Sequence, residues 1–184
     1  MGDIGTGGGA GGSIFSRRRF LGISLTAGGV LLAGGGGLLW LRGRAPPIAG
    51  LRCLGAHEYR TVSQLALALF PEGGAFPGGA AEVDLARLFD GFLADEPEWN
   101  RSDLKKGLVL LEYGPLLFER RFATFSHLSP EERLRHFERW TEGSLVQRQV
   151  ATALRKFLSL VFYDRPEVWP RIGYDGPAVP AERP

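Results

Sequence analysis

Residues 20–41 carry no charged side chain, and this span divides the chain into a short leader and a longer body. Directly ahead of it stand Ser16, the arginines 17, 18 and 19, and then Phe20 and Leu21. A basic cluster followed by an apolar stretch is the layout of an export signal. The same layout describes a transmembrane helix with its N-terminus inside, for which about 20 apolar residues suffice. Here seven of the 22 positions are glycine (22, 28, 29 and 34–37), so the span is only mildly hydrophobic. Arg42 and Arg44 follow on its far side, where an ordinary secretory signal avoids positive charge.

The order S-R-R-x-F-L, carried by Ser16, Arg17, Arg18, Phe20 and Leu21, resembles a twin-arginine signal. Such a signal is an address read by a receptor. It implies the twin-arginine (Tat) translocase as a partner and a body that folds before it crosses the membrane. Ala49 offers a cleavage point without a clean A-x-A pattern. Cys53 follows Gly50-Leu51-Arg52, a poor lipobox because arginine adjoins the cysteine. An uncleaved signal, holding a periplasmic body to the inner membrane, is therefore an open reading of residues 16–49.

Residues 1–15 are glycine-rich and expected to be disordered. Residues 50–184 form a body of about 135 residues, the size of one domain, able to bury somewhat over 60% of its unfolded surface. The whole chain holds 22 Lys and Arg against 20 Asp and Glu, but residues 1–49 take five arginines and one acid. The body keeps 17 basic against 19 acidic side chains, a net of −2. Nucleic-acid binding draws its affinity from neutralised phosphates, so a body without basic excess argues against it. The single cysteine excludes an intramolecular disulfide, leaving packing to hold the fold.

The body reads as all-helical, one compact domain of about five helices with an irregular C-terminal arm. Residues 56–70 place Tyr59, Val62, Leu65, Leu69 and Phe70 at helical spacing. Pro71 and the glycines at 73, 74, 78 and 79 make a loop. A second helix carries Leu85, Leu88, Phe89, Phe92 and Leu93 on one side and ends at Asp95-Glu96-Pro97. Asp84, Asp90, Asp95 and Glu96 read as its solvated face. A third starts near Ser102 as N-cap and is expected to end or kink at Gly114-Pro115. Ser129-Pro130-Glu131-Glu132 is a capping box with proline at the first helical position; Leu134, Phe137 and Trp140 point inward from the helix it starts. Ser144 and Gln147 start a fifth helix, the most apolar, expected at the centre of the core. No stretch alternates with the period of a strand.

Catalytic and cofactor signatures are missing. His136 lies four residues after Glu132 and could share a metal with it, but a two-ligand pair is a weak site and more often a surface ion pair. One cysteine supports neither an iron–sulfur cluster nor covalent haem. The glycine runs do not follow a strand and open a helix, as a dinucleotide-binding loop must. A chain that folds before export without a cofactor of its own is explained by a partner that carries one.

The ending F-Y-D-x-P-x-x-W-x-x-I-G-Y-x-G-P is formed by Phe162, Tyr163, Asp164, Pro166, Trp169, Ile172, Gly173, Tyr174, Gly176 and Pro177. With the stretch A-H-E-Y-R-T-V-x-Q-L-A-x-A-L-F-P at residues 56–71, it resembles the gluconate 2-dehydrogenase subunit 3 family. The resemblance implies a non-catalytic small subunit beside a large FAD flavoprotein of the GMC type. A cytochrome c carrying haem c often serves as electron acceptor there, and the flavoprotein commonly leaves the cytoplasm on the small subunit's signal. Tyr163, Trp169, Ile172 and Tyr174 are the candidate partner contacts, because large aromatics in an irregular arm can anchor an interface. The competing reading folds Trp169 and Tyr174 back onto their own core. Two other functions stand beside this one: a small periplasmic metal protein or enzyme using Glu132 and His136, and a membrane-tethered structural protein.

Overall fold

The computed structural model describes residues 45–73 and 79–176. The leader at residues 1–15, the signal residues Ser16, Arg17, Arg18, Phe20 and Leu21, the charge-free span and Pro177 lie outside the described residues.

Five α-helices follow one another: α1 (Ala56–Leu69), α2 (Leu85–Asp95), α3 (Glu98–Glu119), α4 (Pro130–Glu142) and α5 (Leu145–Tyr163). Short 3-10 turns lie at Phe125–His127 and Trp169–Ile172, and the described residues include no strand. The domain is an all-helical bundle in which α1 and α5 each pack against the same three helices, α2, α3 and α4. The expectation of α5 at the centre is met, with α1 sharing that position. Where these two helices end, the Phe70 and Phe162 rings stack at 4.4 Å. Among the described residues no helix is long and apolar enough to cross a membrane.

Two helix starts are as the sequence dictates. The Ser129 hydroxyl accepts from the Glu132 N–H at 3.3 Å, while the Glu132 carboxylate accepts from the Ser129 N–H at 3.0 Å. Ser144 and Gln147 repeat the exchange at the head of α5. Each box satisfies backbone donors that the first turn leaves without partners.

α3 departs from expectation at both ends. It begins at Glu98 rather than near Ser102, because the Pro97 carbonyl already accepts from Asn100 and Arg101 and Glu98 sits on the positive end of the helix dipole. It also continues through Gly114 and Pro115 to Glu119. Proline costs the helix one hydrogen bond, but Leu111, Tyr113, Gly114 and Pro115 are all buried, and that packing holds the second half in place. The glycine has a tertiary cause. A Cβ there would lie 2.6 Å from Cζ2 of Trp140 and 2.8 Å from Nε2 of His136, both on α4.

The inward rows are narrower than the apolar spacing suggests. Leu88 and Leu134 are exposed, while Phe89, Leu93, Phe137 and Trp140 are buried. Three ionisable side chains take places on those rows instead: Asp90, Glu112 and His136.

Candidate functional site: an aromatic arm beyond the last helix

α5 ends where its apolar row runs out, and Asp164 closes it by donating its N–H to the Leu160 carbonyl. Arg165 then turns the chain back. Its Nε donates to the Phe162 carbonyl at 3.1 Å, its guanidinium lies 4.8 Å from the centre of the Phe162 ring, and its Nη1 meets Glu167 at 3.2 Å. Val168, almost fully buried, pins the next turn to the core. Trp169–Ile172 forms a single 3-10 turn with proline at its second position. The irregular arm is therefore a run of turns with a fixed course.

Three of the four candidate contact residues come together there. Trp169 donates its indole N–H to the Tyr163 carbonyl at 3.0 Å, and the Tyr174 ring stands edge-on to Trp169 at 5.4 Å. Gly176 closes over the indole, where a Cβ would meet the ring at 3.3 Å. Trp169 is half-buried, so folding back describes its indole. Tyr163, Ile172 and Tyr174 keep 39%, 46% and 45% of their surface in solvent. Leu160, one turn before Tyr163 on the same side of α5, is exposed as well. The result is an apolar, largely aromatic surface held by a half-buried arginine and an indole hydrogen bond. Such a surface can dock a partner.

The acidic face assigned to α2 needs correction. Asp90 is 1% exposed and its carboxylate accepts three successive backbone N–H groups: Arg52 at 2.6 Å, Cys53 at 3.0 Å and Leu54 at 2.7 Å. Burial pushes this carboxyl up, but the three backbone donors outweigh it and hold it below its ordinary range. Asp84 and Asp95 stay at the surface, bonded to Arg87 and Arg52. Burial and the neighbouring Asp90 charge push the Cys53 thiol up to about 11, so it is a poor nucleophile.

Glu112 and His136 are likewise structural. Glu112 accepts from the Thr61 hydroxyl at 2.9 Å and from the Ser126 N–H and hydroxyl at 3.1 and 2.7 Å, tying α1 and α3 to the first 3-10 turn. His136 is fully buried, not a surface ion-pair partner of Glu132; its Nδ1 meets Glu119 at 2.5 Å. Glu132 is turned to Arg121 and to its own N-cap. Glu132 and His136 are thus divided between different partners and do not form a shared metal site. No group of three or more His, Cys, Asp or Glu among the described residues is placed to hold a metal ion.

The chain matches no family model, no curated protein and no solved structure. Its function is therefore argued from its own residues. The sequence pattern that could have flagged Asp90, Glu112 and His136 is their place on the apolar rows: Asp90 lies one and four residues from Phe89 and Ala86, and three from Leu93.

Proposed function

We propose that this chain is the small, non-catalytic subunit of an exported oxidoreductase. It binds a folded FAD flavoprotein in the cytoplasm, carries it through the twin-arginine pathway on its own signal and holds it in the periplasm. Catalysis belongs to the flavoprotein, a GMC-type dehydrogenase, and a cytochrome c takes the electrons where the complex includes one. Binding only the folded partner also stabilises that partner by mass action.

The observation that carries the reading is a coincidence of position. The C-terminal run that resembles subunit 3 of gluconate 2-dehydrogenase is the same run that exposes Tyr163, Ile172 and Tyr174 around a fixed Trp169. A rigid aromatic surface loses little conformational entropy when it is covered, which is what an anchor of a stable interface requires. The signal-like residues Ser16 to Leu21 supply the route.

The test is co-expression with a GMC-type FAD flavoprotein of the same genome, comparing the wild type with Arg17→Lys/Arg18→Lys. The wild type is expected to bring active flavoprotein to the periplasm and to co-purify with its bound FAD, and the double variant to leave it in the cytoplasm. Active periplasmic flavoprotein with the double variant refutes the escort. A purified chain that turns over a substrate or holds a redox centre alone refutes the whole assignment.

A further inference from the structure

Residues 49–54 lead from the leader into α1, and side chains of α2 and α3 hold them along the way. Arg87 Nη1 donates to the Ala49 carbonyl at 3.1 Å. Gly50 turns the chain at a φ of +78°, in a position where a Cβ would lie 3.1 Å from the same guanidinium. Asp90 then takes the three N–H groups of Arg52, Cys53 and Leu54. The Arg52 guanidinium reaches back to Asp95 at 2.6 Å and to the Gly91 carbonyl at 3.3 Å. Lys105, from α3, donates to the Cys53 carbonyl at 2.8 Å, and the Leu54 side chain is buried.

This strap exists only when α2 and α3 have folded, because its partners come from 36 to 52 residues further along the chain. Cutting a peptide bond inside such a segment requires the segment to open, and the rate follows the population of the open form. On the reading that the chain is exported already folded, the strap is closed before any processing enzyme in the periplasm meets it.

We propose that folding of the body withdraws residues 49–54 from proteolysis, so that the strap stays with the exported protein and any removal of the leader occurs before Ala49. On this proposal no cut falls between Ala49 and Gly50, exposed residues held by the Arg87 hydrogen bond and by the clamp that follows them. Nor is Cys53 acylated as a new N-terminus, since Arg52 and the Asp90 clamp remain in place. The inference rests on the export reading for its consequence in the cell, but the closed strap is a property of the protein in a tube.

The test uses the full-length protein. Trypsin is expected to yield no fragments beginning at Cys53 from native protein and to yield them readily in urea. Maleimide labelling of Cys53, the only thiol, is expected to follow the same contrast. Asp90→Asn raises both rates by about tenfold or more, the factor that losing one hydrogen bond to a charged acceptor represents. Asp95→Asn, which spares the clamp, gives a smaller rise. Native cutting after Arg52, or native labelling as fast as in urea, overturns the proposal, and the wild-type measurement decides it even where Asp90→Asn does not fold. In cells, intact mass is expected to show an exported protein that retains residues 49–54, whereas an N-terminus at Gly50 or later overturns the proposal. Failure to find exported protein refutes the export reading instead, and the digestion still decides the strap.

Discussion

Alanine in place of glycine should have opposite effects at two helical positions of this protein. Gly91 lies in α2 with nothing within 4 Å of where a Cβ would stand. Gly114 lies in α3 against the indole of Trp140 and the imidazole of His136. Helix propensity favours alanine at both sites by about 1 kcal/mol. At Gly91 that gain stands alone, so Gly91→Ala should stabilise by roughly 0.5–1 kcal/mol. At Gly114 the new methyl meets two rings that have no room to retreat: His136 is tied to Glu119 at 2.5 Å, and Trp140 stands edge-on to Phe118 at 5.7 Å. Overfilling a packed interior costs about 1–3 kcal/mol, and the contacts at 2.6 and 2.8 Å place this site at the upper end. Net destabilisation of about 1–2 kcal/mol follows, or roughly 3–8 °C in Tm for a body of this size. Urea unfolding of the full-length variants, followed by circular dichroism at 222 nm, reads both signs in one experiment. Gly114→Ala as stable as the wild type would show that α3 and α4 do not approach as closely as described.

Three further outcomes are expected. Ile172→Ala/Tyr174→Ala, which trims exposed side chains, should change stability by no more than about 0.5 kcal/mol; on the proposed function it should also weaken capture of the proposed flavoprotein partner tenfold or more in a pull-down, as interface anchors do, and undiminished capture would refute the arm as the contact. His136 is held below its ordinary value mainly by burial, with the Glu119 hydrogen bond pulling the other way. Its protonated form would place an N–H at Nε2 without a partner. Stability should therefore be fully present above the unfolded value of about 6.5 and fall as pH drops below it; His136→Gln should flatten that slope in urea titrations between pH 7 and 5. Ser129→Ala removes the hydroxyl that caps α4 and should cost about 1 kcal/mol in the same assay, with Ser144→Ala giving a similar loss.

What the sequence discloses depends on how far away the cause of each feature lies. Ser129 to Glu132 and Ser144 to Gln147 carry their whole explanation within four residues, and both helix starts are read without error. Gly114-Pro115 misleads because the reason for the glycine sits on α4, more than twenty residues on, and sequence spacing cannot show an indole arriving from another helix. The arm's residues are legible as aromatic and irregular; its course depends on Arg165 and the Trp169 indole finding backbone carbonyls, which have no side-chain signature.

Asp90, Glu112 and His136 extend this point from shape to chemistry. Each sits on a row spaced three and four residues apart with buried apolar neighbours, so the rule that finds an inward face had already placed a charged or polar group on it. An ionisable side chain on such a face must find partners or lose its charge. Asp90 finds three backbone N–H groups and stays ionised; His136, with a hydrogen bond on one ring nitrogen only, is held toward the neutral form. The same rule that predicts the core thus predicts where a polar tie must exist, and the fold supplies what it ties. For Asp90 the object tied is the junction between leader and body. Reading it as a solvated face hides the three backbone hydrogen bonds that fasten residues 52–54 to α2.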